Sequence, residues 1–202
     1  MRQWKIMQGA LAVALIMALG ATALVAGEEA ATEAMDPQAM MEAWMKAGTP
    51  GPEHETLAAH AGTWNATVKT WMEPGAEPMV SDGLFQRDMI LDGRVLKERF
   101  EGAFMEQPFE GMGLTGYDNA KGQYWSIWVD SMSTTMMVAW GQWDEEMGAF
   151  VYEGTTTDPM TGGSHWMKTV LTHPEEGKEV MKMYEKRGDQ EVLTMEIVST
   201  KQ

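Results

Sequence analysis

The chain has 202 residues, contains no cysteine and carries a formal net charge of -15 at pH 7. This acidity makes nucleic acid and anionic membrane surfaces poor partners, because both would repel the chain. Without cysteine the protein can hold no disulfide and cannot be a lipid-attached lipoprotein, so packing alone must stabilise the fold.

The first 26 residues predict a signal peptide. Arg2 and Lys5 precede a long apolar run that ends at Ala26, and cleavage could follow Ala23, Ala26 or Gly27. The alternative is a retained membrane anchor, since the run is close to the lower limit of ~18 residues for crossing a bilayer. We expect an exported protein, periplasmic or extracellular, with no stable membrane insertion after cleavage.

Residues 27–53 predict an acidic tether that contains a short amphipathic helix. The stretch EEAATEAM is acidic and rich in alanine, which is typical of a tether. Asp36 and Pro37 then form a helix start, and Gly48 ends the helix. A further helical turn or two is expected in HETLAAHAG, so one or two short helices precede or open the main domain, residues 54–202. The apolar residues at helical spacing are Met40, Met41, Trp44 and Met45.

From Gly62 onward the apolar residues follow a period of two, which predicts about ten β-strands. Turn-forming pairs such as Asp92-Gly93 and Gly188-Asp189 separate them, and no gap is long enough for a crossover helix. Closing the sheet removes its exposed edges, so we predict an all-β, antiparallel up-and-down barrel, with a β-sandwich as the alternative. The predicted strands are Thr63–Met72, Met79–Ile90, Arg94–Met105, Met112–Tyr117, Gln123–Asp130, Thr134–Trp143, Ala149–Thr157, Ser164–His173, Glu179–Arg187 and Glu191–Thr200.

Two of these strands carry bulky side chains on both faces. In QYWSIWVD and in TTMMVAWGQW, aromatic or aliphatic residues occupy both phases of the alternation. A strand that is apolar on both faces is expected to be covered on both sides. The N-terminal helices, a ligand or a partner subunit could supply the cover, and a homodimer is the simplest explanation.

The residues Gly62-Thr63-Trp64, after a short helical lead, resemble the G-x-W opening of lipocalin-like (calycin) barrels. The segments GPEHETLAAHAGTW, PGAEP, LDGRVLKERFEG, FEGMGLTGYDNAKGQYWSIWVDSMSTT and TTDPMTGG resemble the bacterial domain-of-unknown-function family fifteen-seventy-nine. The resemblance covers His54 to near the C-terminus. It implies a single lipocalin-like β-barrel, and it supplies no catalytic residues.

The four histidines do not predict a shared metal site. His165 and His173 lie on one predicted strand, about 26 Å apart at ~3.3 Å per residue, and His54 and His60 have a poor spacing for one helix face. A single imidazole can still ligate haem, and His165 is then the candidate. The 21 methionines fit core filling better than copper binding. We therefore expect no cofactor.

The segment WVDSMST predicts where a ligand would bind. Trp128 and Met132 offer apolar surface, while Asp130, Ser131 and Thr134 offer polar groups, which together are the mixture that lines a pocket. The alternative is a hairpin turn in which Asp130 and Ser131 bind local backbone amides.

Charged residues inside the predicted strands suggest an inward arginine. Arg87 and Asp88 must face opposite sides of the sheet, as must Glu98 and Arg99. An inward arginine either closes an internal ion pair or binds a ligand carboxylate, so Arg87 or Arg99 is the candidate counter-charge for an acidic ligand. The alternative is a solvated outer face.

No catalytic motif stands in the chain: there is no G-x-S-x-G sequence, no cysteine nucleophile and no histidine beside Ser131. We expect a non-enzymatic barrel that binds a small apolar or amphipathic molecule. One alternative is an envelope or structural protein that acts as a homodimer. A further alternative is an enzyme whose site combines Asp130, Asp158 and a histidine from distant strands.

Overall fold

The computed structural model describes residues 36–202, so the predicted signal peptide (1–26) and the acidic stretch 27–35 lie outside the described residues. Within 36–202, no helix has the length and apolarity needed to cross a membrane. Two short helices precede ten strands: α1 Pro37–Gly48, α2 Pro52–Ala59, β1 Gly62–Thr70, β2 Met79–Ile90, β3 Val95–Phe104, β4 Gln107–Asp118, β5 Gln123–Asp130, β6 Met137–Asp144, β7 Ala149–Thr157, β8 Ser164–Glu175, β9 Lys178–Arg187 and β10 Gln190–Lys201.

The ten strands form a closed antiparallel barrel in which each strand pairs with its neighbours in sequence. Pairing of β1 with β10 closes the barrel, in a register that runs from Trp64↔Lys201 to Thr70↔Met195. This confirms the up-and-down barrel and excludes the β-sandwich. Because neighbouring strands are antiparallel, the turns alternate between two ends. We call the end where α2 contacts β2, β3 and β4 the helical end, and the opposite end the far end.

The predicted start of β4 at Met112 is wrong, because the strand begins at Gln107. β3 and β4 are joined by Met105 and Glu106, which have positive φ angles of 49° and 63°. A two-residue hairpin turn of this kind normally contains Asn, Asp or Gly, so the sequence carried no turn signal here. Pro108 follows within β4, near its first residue. The other predicted strand bounds differ from the structure by at most three residues.

Two apolar clusters fill the barrel interior. Leu57 from α2 belongs to the cluster at the helical end, where it closes the barrel over Leu96, Tyr124 and Phe150. The second cluster fills the middle and the far half, and Trp128 packs against it. The alternation of inward and outward side chains along β1 places every second residue in this core. The buried members of this second cluster are Trp64, Ala66, Val68, Phe85, Phe100 and Ile197.

The outer surface of β5 and β6 is apolar as well, as their sequences predicted. Trp125 and Trp140 lie directly opposite each other on it, and Lys121 Nζ lies 4.0 Å from the ring centre of Trp140. Helix α1 buries none of its residues and leaves Trp44 73% exposed. Its last turn is held by Arg94, whose guanidinium donates to the Gly48 carbonyl at 2.9 and 3.1 Å.

Candidate ligand site at the helical end of the barrel

A chain of buried charged groups lies at the helical end of the barrel. Arg87 Nη1 donates to Glu179 Oε2 at 2.7 Å, and Arg87 Nε donates to Glu98 Oε2 at 3.0 Å. The other oxygen of Glu179 lies 2.6 Å from Nδ1 of His60. The side chains of Glu179 and Arg87 are only 3% and 9% exposed. We call these four residues the ion-pair chain.

The fold brings these residues together from four separate elements. His60 directly follows α2, and two residues later Gly62 pairs with Arg87 across β1 and β2. Glu179 begins the inward face of β9, where it pairs with Ser199 of β10. The ion-pair chain therefore depends on the closing contact between the first and last strands.

Trp64 of the G-x-W sequence contacts two members of the ion-pair chain. Its indole Nε1 donates to the His60 carbonyl at 2.9 Å, which fixes the segment between α2 and β1. The Arg87 guanidinium lies 5.3 Å from the Trp64 ring centre and 4.7 Å from that of Phe85. These distances suit cation–π contacts, which are stronger when the cation is shielded from water.

The electrostatics of the ion-pair chain favour the charged form of both Arg87 and Glu179. Burial alone would raise the pKa of Glu179, but the hydrogen bond from His60 and the charge of Arg87 lower the pKa to about 2. Burial alone would lower the pKa of Arg87, but the carboxylates of Glu98 and Glu179 raise it. Since an ionised carboxylate only accepts hydrogen bonds, His60 Nδ1 must carry the proton in this contact.

His173 extends the ion-pair chain toward solvent. Its ring centre lies 4.9 Å from that of His60, and its Nε2 lies 3.9 Å from Glu179 Oε1. Its side chain is 33% exposed. Partial burial, and then the neighbouring charges of His60 and Arg87, lower the pKa of His173, although Glu179 opposes this. The neutral imidazole of His173 is thus favoured at neutral pH.

An open pocket of about 820 Å³ lies over this cluster, between α2, the β8–β9 turn and the start of β7. Its apolar wall is aromatic, with Trp143 packed edge-on against Phe150 at a centroid distance of 5.0 Å. Its polar wall includes three members of the cluster just described. The lining residues are Thr56, Ala59, His60, Trp64, Tyr124, Trp143, Phe150, His173, Glu175, Glu176, Gly177, Lys178, Glu179 and Lys201.

The ligand-binding residues predicted in WVDSMST lie at the far end of the barrel. Asp130 accepts hydrogen bonds from Trp128 Nε1 at 3.0 Å and from the Met132 amide at 2.9 Å. Ser131 Oγ accepts one from the Glu110 amide at 3.1 Å. These are the bonds expected of the alternative interpretation, a hairpin turn. Thr134 is exposed in the same turn, and none of the predicted residues in this segment lines the pocket at the helical end.

The two candidate arginines have different surroundings. Arg87 points inward and is engaged by two carboxylates of the chain itself, whereas Arg99 is 52% exposed on the outer face beside Glu101 and Glu110. Asp158, named for the dispersed enzyme site, accepts hydrogen bonds from the amides of Met160 and Thr161 in its own turn. Asp158 and Asp130 therefore each stabilise a turn at the far end.

His165, the weak candidate for metal or haem, lies near the far end of β8. Its Nε2 is 3.3 Å from Glu185 Oε2, and the two side chains are about equally exposed. Within residues 36–202, the three-residue group of potential metal ligands is instead His60, His173 and Glu179.

Sequence reasoning missed this group because it compared only histidines close in sequence. A usable signal was present in β9, where Glu179 shares its side-chain phase with Met181 and Met183. A carboxylate in phase with two large apolar residues indicates an inward charge that needs a buried partner.

Comparisons with known proteins agree with this fold. Twelve chains of solved structures match, among them the crystal structure of Rv2717c from M. tuberculosis. That match has 10% identity and a TM-score of 0.55, and it covers 76% of this chain and 99% of that chain, which shows a shared fold. No curated protein matches the chain significantly. The profile of DUF1579, a protein family of unknown function, matches residues 49–201. Since this match spans most of the chain, the protein belongs to the DUF1579 family.

Proposed function

We propose that the protein is a binding protein for a small amphipathic molecule, which lies in the pocket at the helical end of the barrel. The observation that carries this proposal is the pocket itself: about 820 Å³, with an aromatic wall on one side and ionisable groups on the other. Pockets for small organic molecules have this size and this division between apolar and polar lining.

The aromatic wall would hold the apolar part of the ligand. Trp143 is 41% exposed although it lies on the inward phase of β6, so its ring presents apolar surface to the pocket. Phe150 packs edge-on against Trp143, and Tyr124 packs edge-on against Phe150 with the ring centres 5.3 Å apart. Burying the exposed part of Trp143 under a ligand would contribute favourable free energy in proportion to the apolar area covered.

The polar wall limits which group on the ligand could be recognised. Arg87 already binds two carboxylates of the chain, so it does not serve as the counter-charge for a ligand acid in this arrangement. His173, Lys178 and Lys201 remain at the pocket surface. A ligand whose polar group accepts hydrogen bonds, such as a carboxylate, sulfonate or carbonyl, fits these three side chains best.

The buried ion-pair chain would keep this wall in place before a ligand arrives. Each hydrogen bond in it joins two elements of the barrel, and Trp64 fixes the segment that carries His60. A wall that is already ordered loses little conformational entropy on binding, which favours affinity.

The proposal is tested with the fluorescent amphiphile 8-anilinonaphthalene-1-sulfonate, whose rings and sulfonate match the two walls. The variant Trp143→Ala removes the aromatic wall, and Trp140→Ala is the matched control. Trp140 lies on the same strand with a similar exposure of 37%, but an odd spacing of three residues places it on the outer face.

We expect saturable binding of one probe molecule to the wild-type protein and to Trp140→Ala. In Trp143→Ala the affinity should fall by about tenfold, equivalent to ~1.4 kcal/mol. Circular dichroism of each variant checks that the barrel remains folded, because partly unfolded proteins also bind this dye. Equal affinity in Trp143→Ala and Trp140→Ala would overturn the proposal.

As the second candidate function, we propose an envelope or structural interaction protein that acts as a homodimer through contacts at its surface. The observation that favours it is the exposed apolar face of α1, where Met41, Trp44 and Met45 are 61%, 73% and 66% exposed. Sedimentation velocity at micromolar concentration should then show a dimer that Trp44→Ala weakens. A monomer at all concentrations would contradict this role.

A further inference from the structure

We propose that His60, His173 and Glu179 form a binding site for one divalent transition-metal ion, for which Zn²⁺ is the best fit. Each residue offers one ligand atom, and these atoms all lie within 4.8 Å of one another. The site shares His173 with the polar wall proposed to recognise the organic ligand, but it uses none of the aromatic wall.

The donor set suits Zn²⁺ and related ions. Two imidazole nitrogens and one carboxylate oxygen are the protein ligands of many zinc sites that leave a fourth position open to water. Ca²⁺ and Mg²⁺ prefer oxygen ligands, whereas two of the three donors in this group are imidazole nitrogens. The open position would face the pocket, because all three residues line it.

The spacing of the donors is close to that of a metal site. His173 Nε2 lies 3.9 Å from Glu179 Oε1, and His60 Nδ1 lies 2.6 Å from the same oxygen. When two ligand atoms each lie about 2.0–2.1 Å from a tetrahedral ion, the distance between them is intermediate between these two separations. Binding therefore needs His60 Nδ1 to release its proton to solvent and to give up its hydrogen bond to Glu179, and it needs the partly exposed His173 to move inward.

The charge balance of the cluster also favours a cation. Arg87 faces two carboxylates, Glu98 and Glu179, so these three groups together carry one net negative charge. Lys178 Nζ donates to Glu175 at 3.0 Å and Lys201 Nζ donates to the Ala59 carbonyl at 3.2 Å, so neither ammonium lies against Glu98 or Glu179 to offset this charge. A bound metal ion would neutralise the remaining charge.

The test is titration of the chelator-treated full chain with Zn²⁺ by calorimetry, and with Co²⁺ by visible absorption, which reports coordination geometry. The main variant is His173→Ala, because this side chain lies at the edge of the cluster and its loss leaves the ion-pair chain intact. The control is His165→Ala, which removes another half-buried histidine paired with a glutamate at the far end.

We expect one Zn²⁺ per chain, intense absorption bands typical of tetrahedral Co²⁺, and at least tenfold weaker binding in His173→Ala. His165→Ala should bind as the wild type does. Absence of Zn²⁺ binding by the folded wild-type chain would overturn the proposal, as would equal affinity in His173→Ala and wild type. Neither result depends on binding of the fluorescent probe, so the two proposals can fail separately.

Discussion

Replacing Glu179 by Gln should destabilise the barrel in a pH-dependent way. The carboxylate has a pKa of about 2 in the folded chain, against an ordinary value of 4.5. Because the folded pKa is depressed, the stabilisation is present above pH 4.5 and is lost as the pH falls toward 2. This pKa difference corresponds to a contribution of about 3 kcal/mol to the free energy of unfolding at neutral pH. Removing one partner of a buried ion pair typically costs ~3–5 kcal/mol, which agrees.

The assay is urea unfolding of wild type and Glu179→Gln at several pH values, with a chelator present so that no metal contributes. The free-energy difference should be about 3 kcal/mol at pH 7 and should fall below half of that by about pH 3. Glu185→Gln is the matched control. Glu185 is also a carboxylate of β9 that lies close to a histidine, His165, but its side chain is 30% exposed. Glu185→Gln should lower the free energy of unfolding by less than ~1 kcal/mol. A pH-independent difference for Glu179→Gln would show that ionised Glu179 does not stabilise the folded barrel.

Three further substitutions test the fold and the far-end turn. Asp130→Asn should lower the unfolding free energy by about 1 kcal/mol, because it weakens the bonds to Trp128 and the turn, and it should leave probe affinity unchanged. Gly154→Ala should cost about 1–3 kcal/mol in the same assay, since a Cβ there would overlap the Val138 carbonyl. Leu57→Ala should cost about 2–5 kcal/mol, because it empties the contact that closes the helical end. If any of these variants unfolded at the same urea midpoint as the wild type, the structural reason given for that variant would be contradicted.

The strands could be predicted from sequence because their side-chain period and turn residues are local signals. β2, β5 and β7 have the predicted bounds, and each is flanked by turns containing glycine or proline, or by a polar turn. The β3–β4 hairpin could not be predicted, since Met105 and Glu106 adopt positive φ angles without the residues that normally favour them. The tight register of the two strands stabilises that turn, and register is a non-local property.

The candidate site could be predicted only in part. The alternation of side chains indicated that Arg87 or Asp88 must point inward, and Arg87 does. Its partner Glu179 is 92 residues away in sequence, and their contact depends on closure of β1 against β10. The segment WVDSMST had the composition of a pocket but forms a turn, because Asp130 satisfies the nearby amide and indole donors. Composition alone does not distinguish these two outcomes.

Native mass spectrometry of the protein purified from its own host tests the binding role most directly. We expect one small organic molecule per folded chain, released on denaturation and absent from Trp143→Ala, while Trp140→Ala retains it. The bare mass of the folded wild-type chain, or an organic molecule retained equally by Trp143→Ala, would contradict the assignment of the pocket at the helical end as a ligand site.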